Sequence, residues 1–315
     1  MNSKIKKAYK LMEKCELCPR RCGVNRLKGQ IGFCKAGLLP MVSSFHGHFG
    51  EEPPISGKNG SGTIFFTHCS LRCVFCQNHP ISQSGQGREI SIEELAGMML
   101  DLEGQGCHNI NFVTPTHYMP QAIEAFLAAK EKGLKIPLVY NCGGYEAMEA
   151  LEILDGVIDI YMPDMKYSND AQAERYSNAP DYFEVNKKAV KEMYRQVGDL
   201  KIEKGIAKKG LLIRHLVLPD NLAGSQEIFK FIASELSRET YVNIMAQYYP
   251  CHLVGDGRDR PLRKFPEIDR RITTREYMEA IRLAKGAGLK NGFRQVMSTI
   301  KRKRIPEWTD NLKGL

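Results

Sequence analysis

The stretch Thr63-Ile64-Phe65-Phe66-Thr67-His68-Cys69-Ser70-Leu71-Arg72-Cys73-Val74-Phe75-Cys76-Gln77-Asn78 opens the core of this 315-residue chain. Its first five residues are β-branched or aromatic, the composition of a strand. The loop that follows carries three cysteines in the spacing C-x3-C-x2-C. Three thiolates on one short loop can hold three irons of a cubane [4Fe–4S] cluster, because such clusters are bound by cysteine thiolates. The fourth iron is then left open to a small molecule. A structural zinc site usually takes four protein ligands, and within this loop only His68 or His79 could add one.

Beyond the loop, two periodicities alternate. Ser91-Ile92-Glu93-Glu94 is a capping box, and Ile92, Leu95, Ala96, Met99 and Leu100 then follow helical spacing. Strands are predicted at 109–114, 137–140, 157–162, 211–218 and 241–246. Helices are predicted at 119–132, 145–154, 169–177, 181–198, 228–236 and 273–287. Short strands alternating with helices argue for βα units and a mostly parallel sheet. About six repeats fall between 63 and 287, too few for a closed eight-unit barrel. The expected α/β fold is therefore a partial (βα)6, TIM-like barrel with an N-terminal Cys-rich extension. Functional residues should then lie at the carboxyl ends of the strands. Residues 1–60 are expected to hold a helix, a Cys-rich metal knuckle and a connecting segment. Residues 61–290 form the core, and 291–315, with Trp308, a tail or lid.

Hydrophobic residues make up 43% of the chain, enough for a sizeable core. No apolar run approaches the roughly 20 residues that span a bilayer, so a cytoplasmic enzyme is expected. Seven of the ten cysteines lie in two tight groups, which suits metal ligation better than disulfides in a reducing compartment. The second group, Cys15-x2-Cys18-x3-Cys22-x11-Cys34, offers four thiolates. It suits tetrahedral Zn²⁺ and an auxiliary iron–sulfur cluster equally well, and spacing does not separate them. The net charge of +9 is spread along the chain. Its densest run, Lys301-Arg302-Lys303-Arg304, reads as a solvated tail, and nucleic acid is not the expected partner. His46 and His48, with Glu51 nearby, read as a strand-edge surface pair.

Three charged positions stand out at predicted strand ends. Asp164 and Lys166 are two residues apart, so both face the same side. Arg214 lies inside an apolar strand, where an unpaired charge is costly, so it either pairs with a carboxylate or lines the barrel. His252 is a candidate ligand contact in the loop after the last strand.

The triplet, Phe75 before its last cysteine and the preceding strand together resemble the radical S-adenosylmethionine (SAM) superfamily. Further stretches resemble the activating enzymes of glycyl radical enzymes, typified by pyruvate formate-lyase activating enzyme, and more narrowly the PflX-type branch. These are Cys76-Gln77-Asn78, the strand Asp159 to Lys166 ending in D-x-K, Ile213-Arg214-His215-Leu216-Val217-Leu218-Pro219, and Gln247-Tyr248-Tyr249-Pro250-Cys251-His252. The resemblance covers about residues 40–290. It implies that the open iron binds SAM and that a flavodoxin or ferredoxin-type donor reduces the cluster. Cleavage of SAM then yields a 5′-deoxyadenosyl radical that takes a hydrogen atom from substrate. It implies an oxidoreductase like the [formate-C-acetyltransferase]-activating enzyme, acting on a glycyl radical enzyme. Modification of a small molecule or another protein is the alternative, and a non-catalytic Fe–S or zinc protein binding nucleic acid is the third. Implied SAM contacts are Thr114, Thr116, Asn141, Gly143, Asp164, Lys166, Arg214 and His252. One departure stands out. The G-G-E element after the second strand, which binds the SAM amino group in many members, is replaced here by Val113-Thr114-Pro115-Thr116-His117. No carboxylate occupies its place.

Overall fold

The structure is a computed structural model and describes residues 3–255 and 264–295. Its strands are β1 (Met41–His48), β2 (Ser61–Phe66), β3 (Arg88–Glu89), β4 (Ile110–Val113) and β5 (Leu138–Cys142), then β6 (Ile160–Pro163), β7 (Lys201–Glu203), β8 (Ile206–Leu216), β9 (Tyr241–Met245) and β10 (Gly292–Arg294). They form one sheet in the order β10-β9-β8-β6-β5-β4-β2-β1-β3, with β7 paired to β8. From β2 to β10 every neighbour along that path is parallel. β1 joins β2 and β3 antiparallel. The β10 and β3 ends do not pair with each other. The fold is thus α/β, a parallel sheet curved but not closed, as the count of six repeats implies.

Helices cover the outer face of the sheet. Leu138, Tyr140, Tyr161, Leu211 and Ile213 pack there with helical residues such as Leu95, Phe126, Leu151 and Met193. Alternation along a strand sends the neighbouring residues inward. Val139, Ile160, Met162 and Leu212 form a smaller inner cluster with Ile55 from the short helix Pro53–Ser56. Further along the same inward rows come Asn141, Asp164 and Arg214. The inner wall therefore changes from apolar to charged toward the carboxyl ends. Both faces being covered, β2, β5 and β6 are buried at every residue.

The helix Ile92–Gly104 begins with the predicted capping box, Ser91 Oγ accepting from Glu94 N–H and the Glu94 side chain accepting from Ser91 N–H. Four strands lie outside the predicted set, β1, β3, β7 and β10, of which β3 has only two residues. β1 carries Ser43, Ser44, His46, Gly47 and His48, too polar for a strand signal. The first core strand is consequently the second in the chain. β7 is an exposed hairpin arm, and β10 is three residues long. Among the described residues no helix is long and apolar enough to cross a membrane. Trp308 and the run 301–304 lie outside the described residues.

Candidate active site

A cleft of about 680 Å³ opens at the carboxyl ends of the parallel strands. The parallel strands β2, β4, β5, β6, β8 and β9 all contribute to it. Cys69, Cys73 and Cys76 follow β2, Thr114 follows β4, and Asn141 and Gly143 close β5. Asp164 and Lys166 follow β6, Arg214 comes from β8, and Gln247 and Tyr248 follow β9.

The cysteine loop is held by local geometry. His68 (φ 66°) and Arg72 (φ 58°) adopt the left-handed conformation on either side of Cys69, a strained choice of the kind that clusters at functional sites. Each sulfur is close to a hydrogen-bonding group. Leu71 N–H donates to Cys69 Sγ at 3.4 Å, Ser177 Oγ donates to Cys73 Sγ at 3.0 Å, and Cys76 Sγ lies 3.2 Å from Ser82 Oγ. Burial, with a smaller contribution from Cys73, pushes the Cys69 thiol up to about 11 and the Cys76 thiol up to about 12. Binding a metal there would release these protons, because the thiolate is the ligating form.

Among the described residues no three His, Cys, Asp or Glu side chains converge on one ion position. That disfavours a zinc knuckle here and suits a cubane, which spreads its thiolates over separate irons. His79 does not approach as a fourth ligand; its ring stacks on His252 at 4.5 Å. Gly143 allows β5 to meet this loop. A Cβ at Gly143 would lie 2.5 Å from Leu71 Cδ1, and one at Gly144 (φ 72°) would collide with the Asp164 carbonyl and the Asn186 amide.

A charged network forms the facing wall. Lys166 Nζ donates to Asp164 Oδ2 at 2.6 Å, and Arg214 Nε donates to Asp164 Oδ1 at 2.9 Å. Arg214 Nη2 donates to Asn141 Oδ1 at 2.6 Å, and Arg214 Nη1 lies 3.6 Å from Glu51 Oε2. Burial opposes charge on Asp164, yet Arg214 and Lys166 outweigh it and hold its carboxyl below the ordinary range. Arg214 thus does both things the sequence allowed: it pairs with a carboxylate and it lines the barrel. The Asp164–Lys166 pair is largely buried, with side chains 12% and 17% exposed.

Two of the implied SAM contacts lie elsewhere. Thr116 Oγ1 donates to Glu146 Oε1 at 2.7 Å beneath the helical layer, because the turn Thr116–Tyr118 carries it away from the cleft. His252 stacks on His79 and sits 3.2 Å from Gln83 Oε1, while Gln83 donates to the Cys73 carbonyl. It supports the cysteine loop from behind. Conversely, His46 and His48 do pair edge to face on β1, 5.8 Å between ring centroids, and they also line the cleft and pack against Phe65. Glu51 was considered only as a neighbour of those histidines. The signal that could have found it is Glu51-Glu52 set before Pro53-Pro54, two carboxylates at a chain reversal.

Glu146 is buried, and burial pushes its carboxyl up to about 7 from an ordinary 4.5, against hydrogen bonds from Thr116 and Tyr140. Between those values the folded state keeps a proton that the unfolded state releases. Stability therefore falls as pH rises across that window. Glu146→Gln should remove this slope, so that urea midpoints of wild type and variant diverge from pH 5 to 7 in favour of the variant.

The sequence profile of the Radical SAM superfamily matches residues 63–206, from β2 to the start of β8. Uncharacterized protein MJ0674 of Methanocaldococcus jannaschii is 31% identical over 294 residues, spanning 90% of this chain and 78% of that one. The chain belongs to the radical SAM superfamily. Radical SAM enzymes work with a [4Fe–4S] cluster and SAM, and the cysteine triplet stands at the start of the matched region. A second protein of the same organism, uncharacterized protein MJ0808, is 23% identical over 292 residues, 85% of this radical SAM chain and 80% of its own. Among solved structures, HydG, a maturase of the [FeFe]-hydrogenase, aligns with a TM-score of 0.47 at 12% identity, over 73% of this chain and 50% of that one. The radical SAM chain thus spans half the length of HydG. Methylornithine synthase, PylB, aligns at 0.45 and 13% identity, over 76% and 73%.

Proposed function

We propose that Cys69, Cys73 and Cys76 hold the cluster, that the facing network binds SAM, and that the enzyme takes a hydrogen atom from a glycine Cα in a partner protein. The observation that carries the first two parts is the convergence of three hydrogen-bonded thiols and the Asp164–Lys166–Arg214 network on one cleft. When bound, the cluster and SAM supply a one-electron cleavage that ends in a hydrogen-abstracting radical. The residues do the rest. Lys166 presents a cation that can meet a carboxylate, and Asp164 presents acceptors for an amino or ribose hydroxyl group. Asn141 and the Thr114 backbone add polar groups at neighbouring strand ends. Leu71, Phe75 and Met245 give the cleft apolar walls that exclude water.

A protein substrate is supported by the open sheet, whose β10 and β3 ends leave the cleft accessible from the side, and by the activase-like motifs. A small-molecule substrate is the second reading. The cleft volume favours it, since about 300–1,000 Å³ is the usual range for such sites. The test is anaerobic reconstitution followed by dithionite, SAM and a candidate protein with a C-terminal glycyl-radical loop. A doublet in the electron paramagnetic resonance (EPR) spectrum of that protein is the expected result. SAM turnover without any doublet, accelerated instead by a small molecule, would replace the protein substrate with the second reading.

A further inference from the structure

The N-terminal knuckle lies outside the cleft, yet it is built around its cysteines. Cys15 N–H donates to the Val24 carbonyl at 2.8 Å, and Gly23 N–H donates back to the Cys15 carbonyl at 3.2 Å. These bonds close the loop that carries Cys18 and Cys22. Phe33 N–H donates to Cys22 Sγ at 3.4 Å, bringing the segment of Cys34 against it. All four cysteines line one small pocket with Arg20, Arg26 and Ser70. Cys15, Cys18 and Cys34 are buried.

Arg26 is the independent sign of a ligand. It is 0% exposed. Its Nη1 donates to the His117 carbonyl and its Nη2 to the Gly37 carbonyl, both at 2.6 Å. Its Nε has no partner, and no carboxylate pairs with it among the described residues. A fully buried guanidinium that faces two neutral carbonyls and the Tyr118 ring, 5.8 Å away, is costly, because its charge has left water without meeting an anion. Four neutral thiols do not supply one. Four thiolates around a metal centre of lower positive charge do. Arg20 adds a second cation, lying 3.8 Å over the Phe33 ring and donating to the Ser70 carbonyl.

We propose that Cys15, Cys18, Cys22 and Cys34 hold a second [4Fe–4S] cluster, fully ligated by protein. Zinc and cluster differ in how tightly the sulfurs gather. A zinc ion with Zn–S bonds of about 2.3 Å draws four sulfurs to within about 4 Å of one another. No three of these thiols meet at such a point, and the same is true of the triplet in the cleft. A cubane accommodates both arrangements, because each thiolate binds its own iron. The knuckle cluster backs directly onto the triplet loop, since Arg20 grips the residue that follows Cys69.

The test leaves the knuckle untouched. In the full chain, Cys69→Ala, Cys73→Ala and Cys76→Ala are combined, and the protein is reconstituted anaerobically. The triple variant should retain about four irons and four sulfides per chain, where the wild type holds about eight of each. On reduction its EPR signal should not change with added SAM, because no iron is open. A folded triple variant with zinc in place of iron, or with no metal, overturns the proposal. Should that variant not fold, Cys15→Ser with Cys34→Ser decides. The proposal requires loss of about half the iron with a SAM-responsive signal retained, and undiminished iron overturns it. Neither outcome depends on whether the enzyme acts on a glycyl radical partner.

Discussion

Cys73→Ala is expected to abolish reductive cleavage of SAM, with 5′-deoxyadenosine falling to the level of a protein-free control. Three cysteines for four irons leave no reserve, so losing one leaves two irons without protein ligands. Cys73 is the most buried of the triplet, at 8% exposure. Its sulfur accepts from Ser177 Oγ, which also meets Tyr167 OH at 2.8 Å. Ser177→Ala is the informative companion. It keeps the three thiolates and removes one hydrogen bond to a cluster sulfur. Hydrogen bonds to sulfur help set the reduction potential. Ser177→Ala should therefore retain iron and some turnover while shifting the potential downward, as a sulfur that loses its donor stabilises added electron density less well. Anaerobic assays with dithionite would measure both. Wild-type yields of 5′-deoxyadenosine from Cys73→Ala would remove the triplet from the chemistry.

The sequence carried the architecture well because parallel strands buried on both faces are short, apolar and bounded by helices. The predicted strands at 109–114, 137–140 and 241–246 overlap β4, β5 and β9. Polar strands toward the sheet edge have no such signature, and in β1 only the His46–His48 pair suggests a strand. The triplet was legible because its spacing is local. The wall facing it was only half legible. Asp164 and Lys166 were linked by the period of a strand, but Arg214 and Asn141 meet them from other strands, and register is invisible in a single chain. Thr116 shows the same limit in reverse. It follows the right strand, yet a turn of 3₁₀ helix points its hydroxyl at Glu146, a carboxylate from the next βα unit.

Arg214→Met should cost about 3–5 kcal/mol of stability, the usual range when one partner of a buried ion pair is removed. Asp164 would lose the donor to its Oδ1, and Glu51 would lose its nearest cation. Burial already pushes Glu51 upward, and Arg214 is the main group opposing that. Without Arg214, Glu51 should take up a proton and Asp164 should rely on Lys166 alone. Asp164→Asn perturbs the same network from the other side and has a distinct pH signature. The Asp164 carboxyl is depressed in the folded state, so its contribution is fully present above the unfolded value of about 3.9. It is lost as pH falls through the lower folded value. Wild type and Asp164→Asn should therefore differ most near neutrality and converge in acid. Urea unfolding at pH 7 and below pH 4 measures both effects. If Arg214→Met kept the wild-type midpoint at pH 7, the network would be behaving as a solvated surface pair worth less than about 1 kcal/mol, and its role in shaping the SAM wall would fall with it.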